Sequence, residues 1–137
     1  MASRNEDIVR KWIDEACSRG RVELADQLLS PNIVNHTATP GQQPGREGVK
    51  KAVLALRAAF PDLAIDIEDL VADAARVAVR DRLTGTHRAV FNGVQPTGRR
   101  VAVSRMSFYR LEGDLITEHW SQLDMAGLMR QLTSPTG

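Results

Sequence analysis

The sequence predicts an α+β fold, with helices in the first half of the chain and antiparallel strands in the second. As far as Phe60, apolar residues recur every three or four positions, which is typical of helices. After Pro61 they alternate with polar residues, which is typical of strands. Because the two kinds of element are segregated along the chain, we expect helices packed on one face of an antiparallel sheet, in a single domain over residues 1–137.

Three helices are predicted before the strands. The first spans 3–18 and begins with a Ser-x-x-Glu capping box. The second, 22–29, is short, and the third, 46–60, ends where proline interrupts the apolar stripe. The segment 32–45 carries proline and glycine and is predicted to be a long loop. Loops of that length in compact domains are often functional.

Four strands and a last helix follow. Alternation predicts strands that begin at residue 63 and span 76–86, 99–111 and 115–123, with a long hairpin between the second and third. Residues 125–132 have a helical apolar stripe.

Composition restricts the class of protein. The 137 residues carry a formal net charge of +1 with no long basic run, so we expect no nucleic-acid partner. Cys17 is the single cysteine, which excludes an internal disulfide and suits the reducing cytoplasm. In an amphipathic helix we expect it to be core filler rather than a nucleophile. No apolar run approaches the roughly 18 residues of a membrane span, so we expect no membrane partner.

Metal and cofactor signatures are missing from the sequence. The three histidines, His36, His87 and His119, have neither i, i+4 spacing nor a neighbouring ligand set, so we predict no metal. The default for His87, at a strand end, is a solvent-facing ring. There is no glycine-rich phosphate loop and no nucleophile elbow, so any chemistry must come from side chains in a cavity.

The last strand places an aromatic ring, an amide and a carboxylate on one face. These are Trp120, Gln122 and Asp124, whereas His119 falls on the opposite face and is expected outside any pocket that Trp120 lines. If the first face borders a cavity, a carboxylate against an apolar wall can serve as a general acid or base. The alternative is that Asp124 caps the helix 125–132.

One carboxylate is embedded in an apolar strand face. Asp81 shares parity with Val77, Val79 and Leu83, while Arg80 and Arg82 fall on the other face. A buried charge is costly unless it is paired. Asp81 is therefore either half of an ion pair with an arginine from a neighbouring strand or a catalytic group.

Six short motifs occur in a fixed order along the chain. They are Asn35-His36, residues 44–49, 59–63, 85–87 and 96–99, and finally 120–132. In this order and spacing they resemble the SnoaL-like polyketide cyclases of the NTF2-like superfamily, over about residues 5–132.

The resemblance implies a cone-shaped barrel, in which a curved sheet wraps around a central pocket closed by helices. It implies a cofactor-independent and metal-independent intramolecular aldol condensation on a small carbonyl compound, or a related lyase or isomerase reaction. The family's aspartate general acid/base is carried onto Asp124, which we expect to be buried at the pocket wall. His36 is a second catalytic residue, and we expect His36 and Asn35 to approach the same cavity as Trp120. The substrate-binding residues expected at the pocket are Asn35, Trp120, Gln122, Phe60, Met106 and Phe108.

Two further expectations concern partners and the alternative function. Helices should cover one face of the sheet, and the other carries enough valine, methionine and phenylalanine to favour a homodimer or larger symmetric assembly. A non-catalytic ligand-binding or dimerisation module is the alternative to the enzyme.

Overall fold

The computed structural model describes residues 3–134 and confirms the predicted α+β class. The helices α1 to α4 are Arg4–Lys11, Ala25–Leu28, Gly45–Ala59 and Met125–Thr133. The strands β1 to β5 are Leu29–Asn35, Ala64–Ala72, Arg76–Thr86, Arg100–Glu112 and Leu115–Leu123. The sheet has the order β1-β5-β4-β3-β2, and every neighbouring pair is antiparallel except β1 with β5. Within residues 3–134, no helix is long and apolar enough to cross a membrane.

The strand β1 is a correction to the predicted loop over 32–45. Its seven residues pair in parallel with β5 at the edge of the sheet, with an irregular register between Leu29 and Val34. Pro31 lies within the strand, which is tolerated because an edge strand has one side free of ladder hydrogen bonds. The polar Asn32 also breaks the alternation. The pattern was therefore hidden in the sequence.

The first helix has the predicted extent but not a uniform geometry. After α1 the chain continues as a π-helix over Trp12–Ser18, in which hydrogen bonds span five residues instead of four. This segment buries Trp12, Ile13, Ala16 and Cys17 against the sheet side of the molecule. Such insertions are rare and are frequently found at functional sites.

The sheet has an inner face covered by helices and an outer face left open. On β3 and β4 the odd-numbered side chains point inward, and all of them on β3 are buried. The inner face includes Val77, Asp81, Leu83, Arg105, Tyr109 and His119. The outer face includes Ala78, Arg80, Met106, Phe108, Trp120 and Gln122. Cross-strand pairing keeps each set together, since Phe108 lies opposite Trp120 and Tyr109 opposite His119.

The C-terminal helix is tied to the sheet by one side-chain amide. The backbone N–H of Ala102 donates to Oε1 of Gln131 over 2.8 Å, and Nε2 of Gln131 donates to the carbonyl of Ala102 over 2.9 Å. Both bonds lie beyond the end of β5, whose last residue, Leu123, pairs with Arg105.

Candidate functional site

A groove of about 430 Å³ lies on the outer face of the sheet. Its floor is an edge-to-face pair, Phe108 with Trp120, whose ring centroids are 5.9 Å apart. Met106 and Gln122 lie opposite each other on the same two strands and continue this floor. Four of the predicted substrate-binding residues thus come together, but on the open side of the sheet rather than inside the cone.

The His36 ring reaches this region from the end of β1. It stacks on Trp120 with centroids 4.3 Å apart and planes 7° from parallel, which confirms the predicted proximity of the two residues. Its Nε2 lies 2.9 Å from a carboxylate oxygen of Glu118.

Asn35, the residue before it, has a local task. Its Oδ1 accepts hydrogen bonds from the backbone N–H and the hydroxyl of Thr37, and Thr37 Oγ1 in turn accepts the N–H of Ser121. Asn35 is not among the residues that line the groove on the outer face. It instead fixes the turn that presents His36.

Asp124 is exposed and caps α4. Its Oδ1 accepts the backbone N–H of Gly127 over 2.9 Å, which is the N-cap geometry of the alternative interpretation. The predicted burial of Asp124 at the wall of a pocket is wrong. The reason is that β5 ends at Leu123, so the two-residue period that aligned Asp124 with Trp120 no longer applies. Its role as general acid/base stays a prediction.

The inner side of the sheet carries Phe60 and a small apolar void. Phe60 is buried on the inner side, apart from the other predicted substrate-binding residues. It packs on Gly85, where an added Cβ would lie 3.0 Å from the Cβ of Phe60. Beside it is an apolar void of about 20 Å³, bordered also by Leu83, Val103 and Leu123. That is room for about one water molecule.

Asp81 forms an ion pair on the inner face with an arginine of the neighbouring strand, which is the first of the two alternatives that the sequence left open. Its two oxygens accept hydrogen bonds from Nε and Nη2 of Arg105 over 3.0 and 2.7 Å. Asp81 is fully buried, and 14% of the Arg105 side chain is exposed. Burial alone would lower the pKa of Arg105, but the hydrogen bonds that it donates to Asp81, together with the negative charge of that carboxylate, raise it, so the guanidinium stays charged.

The imidazole of His119 lies on the same face as this ion pair. It stacks on Tyr109 with centroids 4.7 Å apart and planes 2° from parallel. Burial, and then the positive charge of Arg105, lower the pKa of His119 to about 4, so its ring is neutral at pH 7. Its Nε2 is shielded from solvent and has no hydrogen-bond partner within residues 3–134. A buried polar atom without a partner is rare enough to require an explanation.

Other polar groups surround the pair of rings. The hydroxyls of Ser107 and Ser121 are 3.2 Å apart. Along the strands these two serines lie between the Asp81–Arg105 ion pair and the rings of Tyr109 and His119. Burial raises the pKa of Tyr109, so its phenol stays protonated. Burial also raises the pKa of Cys17 to about 12, so this thiol from the π-helix is core, as predicted, and is a poor nucleophile.

His87 is fully buried, so the solvent-facing default is wrong. Its Nδ1 accepts the backbone N–H of Thr97 over 3.1 Å, which leaves the hydrogen on Nε2, where no described residue accepts it. The physical reason is parity, because His87 continues the inward-facing odd positions of β3 beyond its end. By contrast Arg80 and Arg82 are exposed on the outer face.

The alternation of β5 predicts correctly that His119 and Trp120 lie on opposite faces of the sheet. The Trp120 face, expected to be the wall of an enclosed pocket, is instead the open face. Arg105 shares parity with the apolar Val101 and Val103, and this signal in the sequence would have marked it as the partner of Asp81. Within residues 3–134, no group of three or more histidine, cysteine or acidic side chains is placed to hold a metal ion.

The chain is similar to SnoaL-like polyketide cyclases both in sequence and in structure. The family model of SnoaL-like polyketide cyclases matches residues 7–132. No curated protein matches the sequence. Among solved structures, TsrD from Streptomyces laurentii is 24% identical with a TM-score of 0.87, over 96% of each chain.

Two further solved structures are closer in sequence. IdmH from Streptomyces antibioticus, a candidate polyketide cyclase, is 30% identical with a TM-score of 0.83, over 95% of this chain and 99% of that one. AclR from Streptomyces galilaeus, a candidate hydroxylase, is 28% identical with a TM-score of 0.80, over 93% and 94%. These similarities confirm the predicted NTF2-like architecture.

Proposed function

Because the chain belongs to the family of SnoaL-like polyketide cyclases, we propose that it is a cofactor-independent enzyme acting on a small carbonyl compound. The reaction is an intramolecular aldol condensation or a related acid–base reaction of the lyase or isomerase type. The observation that supports it best is the half-buried, neutral imidazole of His119, whose Nε2 is shielded from solvent, on the same face of the sheet as the cation of Arg105. Family membership alone would not suffice, since one fold hosts many functions.

The chemistry assigns one task to each of these two residues. His119 takes a proton from the carbon next to a carbonyl group, which leaves an enolate whose charge lies mostly on oxygen. The charge of Arg105 stabilises that oxygen in a site of low polarity. The enolate carbon then bonds to a second carbonyl carbon of the same molecule, and the resulting alkoxide takes the proton back from the imidazolium. The ring is thereby restored and no other reactant is consumed.

The low pKa of His119 has two consequences for this scheme. It keeps the ring unprotonated at pH 7, and it makes the ring a weak base while the site is empty. A negative charge that develops on the substrate would favour the protonated ring, because an adjacent opposite charge raises the pKa of a cationic group.

Asp124 and His36 remain as predictions from the family resemblance. Asp124 is accessible to a substrate, and His36 lies beside the groove on the outer face with Glu118 as its partner. A reaction that used these residues would take place outside the cone.

One assay compares the two sets of residues. Exchange of α-protons for deuterium is followed by NMR for a panel of 1,3-dicarbonyl compounds, with the wild type, His119→Gln and Asp124→Asn. We expect the His119 variant to lower catalysed exchange by roughly 10²–10⁴-fold and the Asp124 variant to leave it unchanged. The opposite pattern would assign the acid/base role to Asp124.

A stability measurement isolates the capping role of Asp124. Asparagine also caps helices, so Asp124→Asn should keep the stability of the wild type, whereas Asp124→Ala should lower the free energy of unfolding by about 1 kcal/mol. If neither His119→Gln nor Asp124→Asn lowers exchange in a folded protein, the acid–base proposal fails.

The alternative is a non-catalytic ligand-binding or dimerisation module, and two observations favour it. The void beside Phe60 has room for about one water molecule, and Asp124 has the geometry of a simple cap. The apolar groove on the outer face would then be the functional surface. Absence of exchange with every compound, together with ligand-induced shifts confined to outer-face residues, would support this alternative.

A further inference from the structure

An irregularity in β2 leaves one carboxylate without a cationic partner. The register of β2 against β3 shifts between Ile67 and Asp69, and Asp69 lies opposite Arg80. The extra residue, Glu68, takes the arginine, because its Oε1 accepts a hydrogen bond from Nη1 of Arg80 over 3.0 Å. Within residues 3–134, Asp69 accepts only the backbone N–H of Leu70. Two acids beside one arginine therefore leave one negative charge uncompensated.

The groove on the outer face lies between large side chains on either side of a small one. Val71 on β2 and Phe108 on β4 both lie opposite Ala78 on β3. The methyl group of the alanine leaves a hollow between them, and the groove of about 430 Å³ is large enough for a small molecule. Asp69 and Arg80 line the same groove, so the uncompensated charge belongs to its wall. Irregularities of this kind in strands are over-represented next to functional sites.

Aromatic rings face the hollow from the side opposite the acid. Phe108 and Trp120 are nearly perpendicular, with planes 81° apart, and 39% of Phe108 is exposed. The face of an aromatic ring attracts a cation. Because β2 and β4 flank β3, their backbones are about 10 Å apart. A molecule with one charged group and one ring or short apolar chain spans that distance between Asp69 and the rings.

We propose that the groove binds a small organic cation, with one ammonium group and an apolar body. The ammonium group lies between Asp69 and the aromatic rings, and the apolar body fills the hollow over Ala78. Charge selects this class of ligand, since Arg80 is compensated by Glu68 and an anion would meet the unpaired carboxylate. The inference is independent of the reaction proposed for the inner face.

The test uses 2-phenylethylammonium and its neutral analogue 2-phenylethanol as probes. Their dissociation constants are measured by NMR titration of the wild type at pH 7 and low salt, with the indole N–H signal of Trp120 as the readout. Trp12 is 3% exposed in the core, so its indole signal is the internal control. We expect the cation to bind roughly five- to tenfold more tightly and to shift Trp120 but not Trp12. Equal affinities, or a Trp120 signal that does not respond to the cation, would overturn the proposal.

Two variants of β2 locate the charge that causes the preference. Asp69→Asn removes the charge and keeps a side-chain oxygen for the N–H of Leu70, so the fold should persist and the preference should fall below twofold. Asp66→Asn, at an exposed position on the same strand that does not line the groove, is the matched control and should keep the preference. A preference that survives in Asp69→Asn, or that both variants lose equally, would refute the role of Asp69.

A second copy of the chain is the competing occupant of this face. The predicted homodimer would cover the same groove, so the cation and the second copy exclude each other by mass action. In a wild type that dimerises, saturating 2-phenylethylammonium should therefore lower the average mass measured by light scattering. A dimer that binds neither probe would assign the groove to the second copy and refute the cation site.

Discussion

The charge state of the His119 imidazole affects both the chemistry of the inner face and the stability of the protein in acid. His119 is held between the ring of Tyr109 and the field of Arg105, and both its burial and that positive charge favour the neutral form. The same environment that suits a base also makes the folded protein sensitive to acid, since protonating this ring inside the fold is costly.

Acid should therefore destabilise the wild type through His119. The folded-state pKa is about 4 against an ordinary 6.5, so between these values the unfolded chain takes up a proton that the folded chain refuses. From this residue, the free energy of unfolding should be unaffected above pH 6.5 and fall by up to about 3 kcal/mol as the pH drops to 4. Urea denaturation at a series of pH values measures it.

The substitution His119→Phe removes the titration and keeps an aromatic ring against Tyr109. Its stability should depend less on pH between 6.5 and 4 than that of the wild type, and carboxylates that titrate in both proteins cancel in the difference. His36→Gln, at an accessible position, is the matched control. Identical pH dependence in wild type and His119→Phe would contradict the assignment.

At the scale of elements, local patterns were predictable and pairings between distant segments were not. The apolar stripe of α3 and the apolar–polar alternation of β3 are each set by neighbouring residues in the chain, so both elements could be predicted from the sequence. The strand β1 depends on β5, more than 80 residues away, and the π-helix depends on how Trp12–Ser18 packs. The ion pair was half predictable, because Asp81 stood out in its strand while its partner lies 24 residues on.

The first turn of α3 contains a glycine that packing requires. Gly48 is buried, and a Cβ at this position would collide with the carbonyl oxygen of Gln43. Alanine normally stabilises a helix by about 1 kcal/mol relative to glycine. Here Gly48→Ala should instead lower the free energy of unfolding by about 1–3 kcal/mol, because the backbone before the helix must move.

Ala55→Gly, on the exposed face of the same helix, provides the comparison. It should lower the free energy of unfolding by about 1 kcal/mol through helix propensity alone. Denaturant melts of both variants measure the effect, and a Gly48→Ala protein more stable than wild type would refute the close approach.

The whole molecule presents one face of its sheet to solvent with large apolar side chains. Val71 is 65% exposed, Met106 63% and Phe108 39%, and all three border the same groove. Which face the helices would cover could not be read from parity, because an alternating strand shows only that two sets of side chains are opposed. Trp120 was expected at the wall of an enclosed pocket, whereas it lies on the open face and His119 lies on the face that the helices cover.

We predict that this face is covered by a second copy of the chain. Light scattering should give about twice the 15.1 kDa of one chain at micromolar concentration, because an open apolar sheet face is unusual in a monomer. Phe108→Glu should produce monomers by placing a charge at the centre of the groove. Leu54→Glu, at a 51% exposed position on α3, should leave the assembly intact. A wild type that scatters as a single chain would refute the dimer.

The amide of Gln131 has a consequence for what this sheet can attach to. Where β5 stops, the peptide groups of β4 at Ala102 would point into empty space, and an unpaired strand margin is a template on which foreign chains polymerise. Gln131 occupies that donor and acceptor with its own side chain, so a helix residue completes the ladder in place of a sixth strand. The C-terminal helix thereby also guards the protein against growth into fibrils from this margin.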